Sequence, residues 1–522
     1  MSRHVLALGS IATTKQVDSA LIVLSFTLLV ELYNRRRRIL SMNYPARCRE
    51  LATRHAVFAG NWLLVYFRLP FGRLWAAVVL FAILGAAHPA PCVAQDTSSR
   101  MDQIVQYYVA SNNFTGAILV ARDRTILLDK AYGDANLEWN IPNTPTTKFQ
   151  LASITKEFTA ASILLLAERG KLNVNDPVKK YLSDAPPSWD KVTIFSLLTH
   201  TFGMPNKFDG ITSWSQTVPP DKLIAAFRDK PLDFESGTSG KYSNAGYYLL
   251  GYLIEKISGQ SYGDFVEENI FKPLGMNDSG YDSKSKIIAR RASGYRFGPS
   301  GPEQSQYQDI TLRYSAGGLY STTEDLLRWD QSLFGNKLLS AESVKMMTTP
   351  VKFNYAAGLM VAKFDGHLSF ELGGDMDGFT SDMMYYPDDK LTVIVLNNLS
   401  GEPEAISMKL AAVAHGEKVI LPSDRKEIAV APSVLTRYVG TYHDMTPGYN
   451  LVITVEDGHL VAQVMAGGGP YKEPKQVLMP ESDTAFFQKE GEREYQFQQN
   501  DKGEIASVLC DLAGHKSVAV RK

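Results

Sequence analysis

The chain is poor in cysteine and carries no motif of the common metal or phosphate sites. Its 522 residues include three cysteines, Cys48, Cys92 and Cys510. Two of them lie in an N-terminal region that we expect to be removed or membrane-bound, so Cys510 has no internal partner and no disulfide scaffold is predicted. We find neither a zinc-type cluster of cysteine and histidine nor a glycine-rich loop that would hold phosphate. A hydrophobic content of 45% indicates a globular protein, and the length predicts more than one domain.

The apolar segments near the N-terminus are short for a membrane span, which needs about 20 residues. The run from Leu74 to Ala87 follows two arginines and precedes prolines and small residues before Gln95. This order predicts a secretory signal within residues 1–94 and hence an exported, periplasmic or extracellular protein. An earlier run, Leu21 to Val30, leaves two interpretations open: a membrane anchor, or an assigned start that lies upstream of the true one.

Positive charge is scarce once the N-terminal region is set aside. Residues 1–94 contain 11 of the 54 basic and 3 of the 55 acidic residues, so the remainder carries a net charge of −9. An acidic surface is a poor match for the phosphates of nucleic acid. We therefore expect no nucleic-acid partner, and any membrane association should come from the N-terminal segment.

The remaining chain divides into a larger domain (residues 95–415), a linker (416–432) and a small β-domain (433–522). In the larger domain, β-type runs at 115–130 and 383–396 enclose a mainly helical region, which predicts one sheet built from both ends of the domain. This is a mixed α/β (α+β) fold. After the linker, short strands separated by turns predict a small barrel or sandwich. Helices are predicted at Tyr247–Ile257, Thr323–Leu333 and Glu404–His415.

The most informative short motif is Ser153-Ile154-Thr155-Lys156. Residues three apart on a helix share a face, so the amine can reach the hydroxyl and act as its base if burial lowers the lysine pKa. Two other Ser-x-x-Lys strings, at Ser283 and Ser423, lie in a polar run and a charged connector. Only Ser153 opens an amphipathic helical pattern, which ends at Gly170, and a helix N-terminus favours a developing anion.

Two further elements complete a candidate site. Tyr242 and Asn244 occur as Tyr-Ser-Asn in a glycine-flanked loop. The phenol can relay a proton, a nearby ammonium would favour its phenolate, and the amide can hold Lys156 and a substrate amide.

The third element is the segment Leu372-Gly373-Gly374-Asp375. Gly373 and Gly374 allow a strand to approach a ligand closely. The backbone N–H groups of Asp375 and Ser153 could then form an oxyanion hole.

These three elements, in this order, resemble the motifs of serine hydrolases that include class C β-lactamases, D-Ala-D-Ala carboxypeptidases and related esterases. The segments Leu197–Met204 and Ser315–Ser321 also resemble that family, and the likeness covers residues 100–415. It implies an antiparallel sheet with helices on both faces, a helical subdomain beside the site, and acyl transfer from a small-molecule or peptide substrate without a metal or organic cofactor. Residues 433–522 resemble the lipocalin-like barrel often appended to such enzymes.

One residue departs from the family pattern. The triplet that precedes Asp375 normally begins with Lys or His, and here it begins with Leu372. The loss of that polar group predicts ester or amide substrates without a terminal carboxylate, with β-lactams turned over only weakly. The alternative interpretation is a non-catalytic penicillin-binding-like or peptide-binding receptor that has lost turnover.

Overall fold

A computed structural model describes most of the chain beyond the N-terminal region. The described residues are 90–298, 301–446, 449–466, 475–488, 493–512 and 515–521. The predicted signal, with its apolar runs at 21–30 and 74–87, lies outside them. The residues from Asp96 to Lys522 form one compact unit. Among the described residues we find no helix with the length and apolarity that a membrane span requires.

Nine of the twelve α-helices in the described residues lie between the first and the last strands of the larger domain. The α-helices are α1 (Ala90–Ala110), α2 (Thr155–Glu168), α3 (Ile194–Leu198), α4 (Pro220–Arg228), α5 (Asn244–Ser258), α6 (Tyr262–Val266), α7 (Lys272–Leu274), α8 (Tyr314–Gly317), α9 (Thr323–Leu333), α10 (Ala341–Thr348), α11 (Pro403–His415) and α12 (Pro432–Leu435). A π-helical turn, Glu267–Phe271, joins α6 to α7. Short 3₁₀ turns are Ala152–Ile154, Val178–Lys180, Pro187–Trp189, Ile310–Leu312, Pro422–Asp424 and Thr436–Tyr438.

Strands occur at both ends of the larger domain and throughout the C-terminal one. In the larger domain they are β1 (Gly116–Arg122), β2 (Thr125–Tyr132), β3 (Asp134–Asn136), β4 (Ile141–Pro142), β5 (Phe149–Gln150), β6 (Gly280–Tyr281), β7 (Tyr295–Gly298), β8 (Gly301–Gln304), β9 (Leu319–Ser321), β10 (Met360–Phe364), β11 (His367–Met376), β12 (Phe379–Tyr386) and β13 (Leu391–Asn397). The C-terminal strands are β14 (Gly440–Thr446), β15 (Tyr449–Glu456), β16 (His459–Ala466), β17 (Gln476–Pro480), β18 (Ala485–Gln488), β19 (Arg493–Gln499), β20 (Ile505–Leu512) and β21 (His515–Arg521).

A six-stranded antiparallel sheet forms the centre of the larger domain, with the order β10-β11-β12-β13-β1-β2. The first strand pairs with the last, since Gly116 lies opposite Asn397. The prediction of one sheet built from both ends of the domain is therefore confirmed, and β1–β2 and β12–β13 form antiparallel hairpins within it.

Both faces of this sheet are covered, which explains why β1 is apolar from Gly116 to Ala121. Successive residues of a strand point to opposite faces. Leu119 and Ile394 belong to the larger core beneath α2, whereas Val120 and Val393 belong to a second core that includes Ile406 of α11. The helices on both faces match the arrangement that the resemblance implied.

Helix α2 is buried around its whole circumference, so the predicted amphipathic character is wrong. All residues from Thr155 to Leu166 are buried. The helix lies between the sheet and other helices, and its polar side chains have internal partners: Thr159 donates a hydrogen bond to Ser315 O at 2.6 Å. The predicted stop is correct, since Gly170 follows the helix with a φ of +67°.

The C-terminal strands β14 to β21 form a closed eight-stranded barrel, which confirms the predicted small barrel. Closure pairs β14 with β21, where Tyr442 lies opposite Arg521. The linker is attached to this barrel: Arg425 Nη1 lies 2.6 Å from Glu481 Oε2, and the Ile428 N–H donates to Pro480 O at 2.9 Å.

Candidate active site

The structure brings Ser153, Lys156 and Tyr242 together. Ser153 lies on the 3₁₀ turn before α2, and the preceding Ala152 has a φ of +46°, a conformation that non-glycine residues rarely adopt. The Ser153 hydroxyl accepts a hydrogen bond from Lys156 Nζ at 2.9 Å and another from Tyr242 Oη at 2.8 Å. The three residues singled out from separate motifs therefore form one hydrogen-bonded group around a partly exposed serine.

Lys156 is held in a form that suits a base. Its side chain is fully buried, and Nζ also donates to Ala316 O at 2.8 Å. Burial lowers the pKa of Lys156 well below its usual range, and the nearby charge of Arg313 lowers it further. A neutral amine can accept the serine proton, whereas an ammonium group cannot.

Tyr242 is a neutral phenol in this setting. Although 38% of its surface is exposed, loss of water around the group raises its pKa to about 12, against a smaller opposing effect of the hydrogen bond with Ser153. The predicted bias toward phenolate is therefore wrong, because the neighbouring lysine that would supply the positive charge has its own pKa lowered. As a phenol, Tyr242 can donate its proton during the reaction.

The rings of His200 and Tyr355 pack around the ring of Tyr242 and fix its position. The ring of His200 lies 4.5 Å from that of Tyr242 and 4.4 Å from that of Tyr355. His200 Nδ1 accepts a hydrogen bond from the Ser243 N–H at 3.2 Å. Burial lowers the pKa of His200 well below its usual range, so this histidine is a neutral packing residue.

Asn244 is the first residue of α5, and its position depends on an asparagine that the sequence reasoning missed. Asn206 Oδ1 accepts hydrogen bonds from the Asn244 N–H at 2.8 Å and from Ser243 Oγ at 2.9 Å. In the described part of the chain, Lys156 Nζ bonds to Ser153 Oγ and Ala316 O, so the predicted contact from Asn244 to the lysine is not formed. Asn206 follows the segment Leu197–Met204 by two positions, which is the signal that could have identified it.

Gly374 allows strand β11 to approach the chain just before Ser153. A Cβ atom on Gly374 would lie 2.2 Å from Leu151 O and 2.4 Å from Ser381 Oγ. At Gly373 the nearest atoms to a Cβ would be 3.7 Å away, which is an ordinary contact. Gly374 therefore sets the distance between β11 and the serine turn, whereas the close approach of Gly373 and Gly374 to a ligand stays a prediction.

The backbone of β11 is open to a substrate beside Ser153. Strand β10 pairs with β11 only as far as Glu371, and the described chain places no strand beside the following residues on that side. Gly373 and Asp375 are exposed, whereas Leu372 is only 3% exposed and belongs to the larger core. Leu372 thus fills the first triplet position with a buried apolar side chain, and the oxyanion role of the Asp375 N–H stays a prediction.

Arg313 is a second residue that the sequence reasoning missed. A Cβ atom on Gly317 would touch both Arg313 Cβ (3.5 Å) and the backbone of Ala152 (3.7 Å), which puts the arginine next to the serine turn. Its guanidinium lies 4.8 Å from the ring centre of Trp214. Burial lowers the pKa of Arg313, and the charges of Asp375 and Asp377 raise it.

The chain is similar in sequence and in fold to known proteins. The family model described as "Beta-lactamase" matches residues 101–417, and one described as "Domain of unknown function (DUF3471)" matches residues 424–517. Penicillin-binding protein 4* of Bacillus subtilis (strain 168) is 29% identical over 82% of this chain and 99% of its own length. An octameric penicillin-binding protein homologue from Pyrococcus abyssi is 26% identical, with a TM-score of 0.58 over 81% of this chain and 99% of that one. A penicillin-binding protein from Bacillus halodurans is 29% identical, with a TM-score of 0.54 over 60% and 99%.

Proposed function

The chain belongs to the β-lactamase family, and we propose that it is a serine hydrolase that cleaves an ester or amide through an acyl-enzyme on Ser153. The observation that carries the proposal is the pair of hydrogen bonds to Ser153 Oγ from Lys156 Nζ and Tyr242 Oη, at 2.9 and 2.8 Å. A serine hydroxyl becomes a good nucleophile when an adjacent base can take its proton. The lowered pKa of Lys156 supplies that base.

The reaction follows from the positions of these groups. Neutral Lys156 accepts the proton of Ser153 as Oγ attacks the carbonyl carbon, and the Ala316 carbonyl stabilises the ammonium that forms. The backbone N–H groups of Ser153 and Asp375 hold the negative oxygen of the tetrahedral intermediate. Tyr242 donates a proton to the leaving alcohol or amine and is reprotonated from Lys156. Water then repeats the sequence on the acyl-enzyme and releases the acid.

The surroundings of Leu372 support substrates without a carboxylate at the triplet position. Leu372 is buried and offers no charge to a substrate. Arg313 is the cation near the serine turn, but Asp375 and Asp377 act on its charge and partly balance it. A carboxylate without a charged partner forgoes roughly 1.5–3 kcal/mol, or about 10- to 100-fold in kcat/KM. We therefore expect neutral esters to be better substrates than β-lactams by about this factor.

Three reagents test the proposal against the non-catalytic alternative. A fluorophosphonate probe should add one label to the wild-type chain, detected by intact mass, and none to Ser153→Ala. A short p-nitrophenyl ester should be turned over by the wild type only, and a chromogenic cephalosporin should be turned over more slowly. If the wild type shows neither label nor turnover while the folded protein still binds a penicillin reversibly, the receptor interpretation replaces the hydrolase.

We also propose that the protein is exported and that residues 1–94 contain the signal. Support comes from the sequence pattern alone: two arginines, the apolar run Leu74–Ala87 and small residues before Gln95. N-terminal sequencing of the protein recovered from outside the cytoplasm tests it. A first residue near Gln95 is expected, and a first residue well upstream would contradict cleavage at this point.

A further inference from the structure

Three side chains of the metal-binding type meet at the end of the sheet remote from Ser153. His367 is the first residue of β11, His415 is the last residue of α11, and Glu417 follows it by two positions. One ligand atom of each lies within 4.8 Å of the others. With a rise of about 3.3 Å per residue, the strand separates His367 from Gly374 by roughly 20 Å. This cluster is therefore distinct from the candidate active site.

The backbone brings these residues together by two tight turns. Gly416 has a φ of +86°, which suits glycine, and the Glu417 N–H donates to Ala412 O at 2.8 Å. This turn folds Glu417 back beside the end of α11. On the other side, the β10–β11 hairpin sets His367 opposite Phe364 in the sheet.

The contacts within the cluster leave one histidine nitrogen without a hydrogen-bond partner among the described residues. His367 Nε2 lies 3.1 Å from Glu417 Oε1, and the two imidazole rings stack with centres 3.8 Å apart. The His415 side chain is only 6% exposed, and its buried Nε2 makes no hydrogen bond among the described residues. That nitrogen lies 3.5 Å from Asp389 Oδ2, which Arg122 Nε holds at 3.1 Å. A buried polar atom without a partner is costly and calls for a physical reason.

We propose that His367, His415 and Glu417 bind a divalent transition-metal ion of the Zn²⁺ type. Two imidazoles and a carboxylate form a ligand set that Zn²⁺ uses, with water in the fourth position. Metal–ligand bonds of 2.0–2.1 Å in a tetrahedron set the ligand atoms about 3.3 Å apart, close to the 3.1 Å between His367 Nε2 and Glu417 Oε1. The two imidazole rings are nearly parallel, with an angle of 13° between their planes, so one ring must turn before both can direct a nitrogen at the same ion. Asp389 Oδ2 lies 3.5 Å from His415 Nε2 and adds a negative charge beside the ion.

Such an ion would join the sheet to the linker. Glu417 lies at the start of the segment that leads from α11 to the C-terminal barrel, whereas His367 belongs to the sheet. A bond from both residues to one ion would fix the first residues of the linker on the larger domain. The ion takes no part in acyl transfer, so the expectation of a metal-free reaction at Ser153 is unaffected.

Metal titration of the full chain tests the proposal. After treatment with a chelator and its removal, titration calorimetry with ZnCl₂ should show one ion per chain with a Kd of about 10 µM or tighter. The double variant His367→Ala/His415→Ala should bind at least about 100-fold more weakly. The matched control His443→Ala/His459→Ala removes two histidines of the barrel and should bind as the wild type does. Co²⁺ should give visible absorption bands in the wild type and the control only.

Two outcomes would overturn the proposal. One is the absence of binding in the wild type, and the other is equal binding by the wild type and the His367/His415 variant, which would place the ion elsewhere. Circular dichroism shows whether that variant folds. If it does not, Glu417→Gln decides, because it keeps the shape of a partly exposed side chain, and unchanged affinity in this variant refutes the ligand set.

Discussion

The substitution Gly374→Ala should disable the site while leaving the fold in place. The added Cβ would lie 2.2 Å from Leu151 O, where an ordinary contact needs more than about 3.2 Å, so β11 and the serine turn must separate by about 1 Å. Leu151 cannot easily yield, because its carbonyl also accepts a hydrogen bond from Ser381 Oγ at 2.9 Å. A misplacement of about 1 Å between a nucleophile and its stabilising groups can reduce the rate about 100-fold.

The expected result is a fall in kcat for p-nitrophenyl ester hydrolysis of roughly 100-fold, which corresponds to about 2.7 kcal/mol of barrier. Overpacking should also lower the free energy of unfolding by about 1–3 kcal/mol, measured by urea denaturation. The matched control is Gly373→Ala, whose Cβ would have its nearest neighbours at 3.7 Å, Asp382 Oδ1 and Ser381 O. Its kcat should stay within about threefold of the wild type, since no group has to move.

The comparison of the two alanine variants makes the reasoning refutable. If Gly374→Ala keeps wild-type kcat, the close approach of β11 to the serine turn does not set the reactive geometry. If both variants lose activity equally, the cause is a general intolerance of side chains on this strand, and the steric argument fails.

Three further predictions concern charge and burial. Arg313→Gln should raise the pKa of Lys156 and so move the acid limb of the kcat/KM profile to higher pH. The control Arg228→Gln removes an arginine that pairs with Asp184 and Asp229 and should leave the profile in place. No shift in the Arg313 variant would contradict the electrostatic role. Burial raises the pKa of Asp382 to about 8. Between about pH 4 and 8 the folded state therefore holds a proton that the unfolded state has lost, so the free energy of unfolding falls as the pH rises through this range. Asp382→Asn should therefore stabilise the protein more at pH 8 than at pH 4, by up to about 5 kcal/mol, and an equal effect at both pH values in denaturant titrations would refute the assignment. The Cys510 thiol is buried with a pKa raised to about 12, so iodoacetamide should modify it only after denaturation, as read by peptide mass spectrometry; rapid labelling of the native chain would show an open barrel.

Local signals predicted the secondary structure well where the chemistry is local. The bounds of α9 agree with the prediction at both ends. Its start is fixed by Thr322, which caps the helix by accepting a hydrogen bond from the Asp325 N–H at 3.3 Å. The burial of α2 on all sides could not be predicted from local sequence signals. A run with apolar residues on several sides fits either a surface helix or a buried one, and only the packing of sheet and helices around α2 decides between them.

The residues of the candidate site likewise fall into those that local sequence predicts and those that it does not. Ser153, Tyr242 and Gly374 each belong to a short motif whose residue types indicate their chemistry. Arg313 and Asn206 carry no such motif, because they act through neighbours that are close in space and distant in sequence: Arg313 through its charge and Asn206 through the start of α5. The predicted direction of the Tyr242 pKa shift was wrong for the same reason, because it depends on the burial of Lys156, which the sequence does not show.

In the proposed mechanism, burial of Lys156 activates Ser153, and the same burial lowers the stability of the fold. The pKa of Lys156 is depressed, so between that pKa and about 10.5 the unfolded state holds a proton that the folded state lacks, and folding is penalised at neutral pH. The penalty grows as the pH falls, which is opposite to the effect of Asp382. The next residue, Glu157, is also buried, with its pKa raised well above the usual range and one hydrogen bond from Trp329 Nε1 at 2.8 Å. Burial in α2 thus keeps two adjacent ionisable residues neutral, which lowers the free energy of unfolding. For Lys156 the neutral state is also a functional requirement of the proposed mechanism, because a charged Lys156 could not deprotonate Ser153.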